Sequence, residues 1–179
     1  MRHASQDKVG IFLVAANPLL REALARVLRT ETEFNVVGAY APDADTEKAV
    51  LSSGASVVLL DDFDAARSDL TLLGKLMNAA PALKVIMVGM PETERAFLDS
   101  IRAGAIGYVL HNSSTEVLVS SVRAILNGEA VCPAQMIVSA YKYAPGSGIA
   151  SPSFTHEHKH AAFVENAEPR ALHFFAHTS

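Results

Sequence analysis

Five short apolar runs, each followed by a stretch with helical spacing, constrain this chain more than any other feature. The runs are VGIFLV (9–14), FNVVGAY (34–40), SVVLLDD (56–62), KVIMVGM (84–90) and IGYVL (106–110). Runs this short and this continuously apolar describe strands buried on both faces. From Pro18, the residues Leu19, Leu20, Ala23, Leu24, Val27 and Leu28 recur at helical spacing. Pro18 suits a helix start, where its missing N–H would lack an intrahelical partner anyway. Further helices are expected over DADTEKAVLSSG (43–54), LTLLGKLMNAAP (70–81), ETERAFLDSIRAG (92–104) and SSTEVLVSSVRAILNG (113–128). Gly54, Pro81, Gly104 and Gly128 mark their ends, and the Ser/Thr opening of the last, with Glu116, reads as a capping box.

Strand and helix alternate through residues 9–130. This order gives an α/β fold: a doubly wound, five-stranded parallel sheet covered on both faces, of the flavodoxin-like kind. Ligands of such sheets gather at the carboxyl ends of the strands. The loops after Val14, Leu60, Val88 and Leu110 are therefore where chemistry is expected.

Composition narrows the class. The 179 residues are half apolar and 19% charged, enough for one packed domain. The net charge of -4 comes with no basic block, which disfavours direct nucleic-acid binding. A single cysteine, Cys132, suits a reducing cytoplasm. No run approaches the ~18 apolar residues of a membrane helix, and residues 1–10 lack a signal-peptide core. After Cys132-Pro133 the pattern changes. Residues 131–179 read as a largely irregular extension, with linker composition at PGSGIASPS (145–153) and five of the seven histidines beyond it. The string HEHKH would place His156 and His160 four apart on a helix, or bring His156, His158 and His160 to one face of a strand. A solvated tail is the expectation, because the second histidine comes too early for the zinc-protease pattern.

The strings NPLLREALARVL, FNVVGAY, SVVLLDD, KVIMVGM, RAGAIGYVLHNSS and AILNGEAVCP, in this order over residues 9–133, resemble the receiver domain of two-component response regulators of the NarL/FixJ type. The resemblance implies a phosphoacceptor aspartate at the end of the third strand, and Asp61 stands there. It implies an acidic pair for Mg²⁺ at the end of the first strand, where this chain has Ala15 and Ala16. A hydroxyl residue and a lysine are implied at the ends of the fourth and fifth strands, where Gly89 and His111 stand. Tyr108 occupies the place of a switch aromatic. The Met-Pro and Gly that usually shape the loop after the aspartate are missing from DFDAARSDL (62–70).

Alanine cannot hold a hard cation, so Asp61 with Asp62 or Asp64 would bind Mg²⁺ only weakly. Without the metal and the lysine, the charge of a transferring phosphoryl group is poorly neutralised. His111 is a weak substitute, since an imidazole is mostly neutral at pH 7. Tyr108 reads as a packed aromatic, because the hydroxyl it would work with is absent at Gly89.

The expectation is a degenerate receiver-like signalling domain acting by protein contact with weak or no phosphorylation. Its partners would be a sensor kinase or another regulator, or a second copy in a homodimer. The resemblance points to the fourth helix, fifth strand and fifth helix as the contact surface. The alternatives are a conventional receiver phosphorylated on Asp61, and a transcription regulator without its DNA-binding domain. Only 46 residues follow position 133, and they show no helix-turn-helix pattern. An enzyme is not expected, because no nucleophile–base pair or phosphate loop appears at the strand ends.

Overall fold

A computed structural model describes residues 8–61, 70–136 and 160–164. Within them lie the strands β1 (Val9–Val14), β2 (Phe34–Tyr40), β3 (Val57–Asp61), β4 (Lys84–Met90), β5 (Gly107–Leu110), β6 (Glu129–Pro133) and β7 (His160–Val164). The helices are α1 (Pro18–Thr30), α2 (Thr46–Ser52), α3 (Thr71–Ala79), α4 (Glu94–Arg102) and α5 (Thr115–Leu126). The seven strands form one sheet in the order β2-β1-β3-β4-β5-β6-β7. The first five strands are parallel, and the order reverses around β1, as a doubly wound sheet requires.

The sheet is wider than the five strands expected. β6 joins β5 in parallel through Gly107 and Val131, and β7 pairs antiparallel with β6. Val131 and Cys132 are buried in the core clusters on opposite faces of the sheet, so β6 is covered on both. The signal was missed because the run EAVCP is short and follows Gly128 without a helix between.

Alternation along each strand divides the core. Ile11, Leu13, Leu59 and Ile86 meet Leu24 and Leu28 of α1 and Val122 and Ile125 of α5. Phe12, Val14, Val58 and Met87 meet Val50 of α2, Leu73 and Leu76 of α3 and Phe97 of α4. Gly107 lets α5 approach β5 closely, since a Cβ there would lie 2.6 Å from the Ile125 side chain. At the same end of α5, the Lys84 ammonium donates to the carbonyls of Ile125 and Leu126 at 3.0 and 3.4 Å, binding orphan acceptors of the last turn.

Two helix starts are informative. Asn17 caps α1: its side-chain oxygen accepts from the Leu19 and Leu20 N–H groups, with Pro18 in the first turn. The cap of α5 is Ser114, which accepts from the Val117 N–H. Glu116 thus sits one residue too early to close the expected capping box, and its carboxylate accepts from the Thr115 hydroxyl instead.

Candidate functional site

The carboxyl edge of the sheet collects the residues singled out in the sequence. Val14 pairs with Leu60, so Ala15 follows beside Asp61 on the neighbouring strand. Asp61 in turn pairs with Val88, one residue before Gly89. Met90 pairs with Leu110, one residue before His111. The fold therefore brings Ala15, Asp61, Gly89 and His111 to adjacent strand ends.

Each position has its own geometry. The Ala15 methyl is 1% exposed and its N–H donates to the Tyr40 carbonyl at 3.0 Å. Arg21, one turn into α1, folds back so that its guanidinium donates to the Ala15 carbonyl. Ala16 is exposed. Asp61 is only 4% exposed. Asp62 and Asp64 lie outside the described residues, as does most of the loop that follows Asp61.

Gly89 lies close to the aspartate: a Cβ there would lie 2.8 Å from Asp61 Oδ1. Its φ of +71° is in the left-handed region, where residues with a side chain are strained. The β4–β5 register slips between Met87 and Met90, which is a bulge at this glycine. The extra residue turns Met90 onto the same core face as Met87.

Beyond the bulge, β4 leads to α4 through two carbonyls that β5 holds. The Met90 carbonyl accepts from the His111 N–H at 3.0 Å, and the ring Nδ1 of His111 lies 3.3 Å from the same oxygen. A protonated Nδ1 completes that contact, which ties the imidazole to β4. The Tyr108 hydroxyl donates to the Pro91 carbonyl at 2.7 Å. Tyr108 is fully buried, edge-on to Phe97 of α4 with ring centroids 5.3 Å apart. Burial pushes its phenol well above the usual tyrosine range.

Among the described residues the donor set is too small for a hard divalent cation. Such an ion wants several oxygen ligands, and the described edge offers two methyl groups, a glycine and one carboxylate. Among the described residues no three His, Cys, Asp or Glu side chains gather into a metal-holding group. His156 and His158 lie outside the described residues. His160 begins β7, paired with Pro133.

Sequence reasoning missed Asn17, Pro91 and Phe97. An Asn-Pro pair before a helical run was a readable cap signal. The other two act through a strand register that local sequence does not disclose.

A sheet in the order 2-1-3-4-5, with α1 and α5 on one face and α2, α3 and α4 on the other, is the receiver fold. No family model matches the chain. Curated relatives do. Over 127 residues it is 29% identical to the uncharacterized transcriptional regulatory protein YxjL of Bacillus subtilis, a match covering 71% of this chain and 58% of the relative. It is 26% identical over 120 residues to the oxygen regulatory protein NreC of Staphylococcus epidermidis, covering 66% of this chain and 55% of that one. The chain thus spans little more than half the length of these relatives. Among solved structures, a LuxR-family two-component response regulator from Aurantimonas sp. SI85-9A1 superposes with a TM-score of 0.68 at 20% identity, covering 76% of this chain and 97% of that one. The signal receiver domain of the putative response regulator NarL from Mycobacterium tuberculosis gives 0.60 at 23%, covering 68% and 98%. The described residues around Asp61 have the receiver fold, and the relatives that the chain resembles are named as regulatory proteins.

Proposed function

We propose that this receiver domain passes signals by protein contact and has weak or no phosphorylation on Asp61. One observation carries the reading: on the strands beside Asp61 the described edge residues are Ala15 and Gly89, with His111 one strand further on, and a Cβ at Gly89 would lie 2.8 Å from the Asp61 carboxylate. Metal-assisted phosphoryl transfer relies on ligands and cations at those positions, and their absence raises its barrier. The partners would be a sensor kinase, another regulator or a second copy, met through α4, β5 and α5. In this reading the domain is not an enzyme and works in the cytoplasm. The lone cysteine agrees with that location, as does the lack, among the described residues, of any helix long and apolar enough to cross a membrane.

The test is a Mg²⁺ titration of the full chain followed at backbone amides. The expected result is no saturable shift at Ala15, Asp61, Gly89 or His111 in the millimolar range. Saturable binding that disappears in Asp61→Asn would return the domain to the conventional class, with Asp62 or Asp64 completing the metal shell.

A further inference from the structure

We propose that the outer edge of β6 is a strand-acceptor site, and that residues 160–164 of the same chain are its ligand. This deepens the reading above by naming the segment that closes the margin of the contact surface. It rests on that reading for the role of α4, β5 and α5.

β6 is fixed along β5 by a short backbone contact and by side chains. Val131 stands opposite Gly107, and its N–H donates to the Ile106 carbonyl at 3.0 Å. The Val131 side chain joins the core on the α1 and α5 face, while Cys132 and Met136 join the core on the α2, α3 and α4 face. Gln135, in the single 3₁₀ turn Ala134–Met136, donates to the Glu92 carboxylate at 2.7 Å, just before α4. β5 is thus an inner strand, and β6 lies at the margin of the contact surface.

A strand in that place carries a row of backbone donors and acceptors on its outer side, and what pairs with them must itself be extended. Residues 160–164 are seated there. They run antiparallel to β6 in unbroken register, from Val164 opposite Glu129 to His160 opposite Pro133. The other end of the sheet is different. There β2 slips against β1, with Val36 opposite Ile11 but Gly38 opposite Phe12, an irregularity that blunts an edge. The sequence HAAFV also has no Lys, Asp, Glu or Pro of the kind that keeps an edge strand from pairing. Residues 134–159 leave and rejoin the ladder at the same end, so one chain can supply both strands without crossing the sheet. Recognition of this sort is carried by main-chain hydrogen bonds, and the ligand class is an extended, uncharged segment.

Hydrogen exchange of the full chain, resolved by peptide, tests this. The double substitution Ala161→Pro and Ala162→Pro removes the ladder N–H whichever of the two faces β6. It is expected to speed exchange over residues 129–133 by at least about tenfold, with residues 9–14 unchanged. A synthetic peptide of residues 157–168 is then the probe. It is expected to bind the double variant saturably and to slow residues 129–133 again. Its binding to the unmodified chain is expected to be at least about tenfold weaker, because the tethered strand competes with it. Unchanged exchange over residues 129–133 overturns the site, and so does a peptide that binds both proteins equally or neither. Should the prolines loosen residues 9–14 as well, the decision passes to cross-strand NOEs between Val131 and Ala162, in a mixture of labelled and unlabelled unmodified protein. NOEs within one chain support the site. Their absence overturns it, and NOEs between chains overturn it by giving the edge to a second copy. Saturable Mg²⁺ binding lost in Asp61→Asn would sink the functional reading alone, whereas a β6 indifferent to residues 160–164 would sink the strand site alone.

Discussion

The end of β1 carries methyl groups where the end of β5 carries hydrogen-bonding side chains. On the β1 side, Ala15 is a packed methyl and Ala16 an exposed one, and neither makes a polar side-chain contact. On the β5 side, Tyr108 and His111 bind the carbonyls of Pro91 and Met90, and Gly89 bends its strand to meet them. A receiver-like site needs both halves: ligands on one, and a hydroxyl and a cation on the other. Among the described residues, the first half offers no side-chain ligand, and the second ties its side chains to β4. Restoring one side chain is therefore expected to disturb the second half more than the first.

Gly89→Thr tests this contrast most severely. It supplies the hydroxyl that receivers of this kind place there, yet it forces a branched residue to φ near +71° with its Cβ against Asp61. A loss of about 2–3 kcal/mol in urea unfolding is expected. Unchanged stability would mean that the bulge is incidental. The alanines come next. Ala15→Asp puts a second carboxylate into a packed place beside Asp61 and should lower stability by about 1–3 kcal/mol, while Ala16→Asp, at an exposed position, should stay within about 0.5 kcal/mol. Equal effects would erase the distinction between a packed and an open half-site. Asn17→Ala, which removes the cap of α1 at the same edge, should lower the unfolding free energy by about 1 kcal/mol without touching the β4–α4 junction.

The smallest effect lies away from the edge. Arg123 of α5 meets Glu31 and Glu33 at 2.6 and 2.7 Å, over the ring of Phe34. Hydrogen bonds from its own backbone N–H and from Arg123 hold the Glu33 carboxyl below the usual carboxylate range. A lowered folded pKa gives stability that is present above the unfolded value and is lost as pH falls through the folded one. Arg123→Gln should therefore flatten the acid side of the stability profile, below pH about 4.3, by a small amount suited to an exposed pair. The profile above pH 5 should keep its shape.

The fold was legible because its signals are local. Strand runs such as SVVLLDD and helix stops such as Gly54, Gly104 and Gly128, all at positive φ, need no tertiary partner to be read. Observed boundaries fall within three residues of the sequence-based ones, as with DADTEKAVLSSG (43–54) against Thr46–Ser52. The composition of the edge was legible too, since Ala15, Asp61, Gly89 and His111 follow from where the strands end. Their arrangement was not. That Gly89 would lie close to Asp61, and that Tyr108 would find the Pro91 carbonyl, depends on a one-residue slip between β4 and β5. A glycine near a strand end, followed by Met90 and Pro91, hints at a bulge but does not say which face it turns. The β6 edge escaped because its pairing with β5 is sustained by register, not by a long apolar run.

Intact-mass analysis after incubation with acetyl phosphate and Mg²⁺, with Asp61→Asn as control, tests the central claim most directly. An unmodified protein, under conditions that label an ordinary receiver, is the predicted result. A phosphoryl adduct formed at a normal rate and absent from Asp61→Asn would contradict the account and make this edge a working phosphoacceptor site.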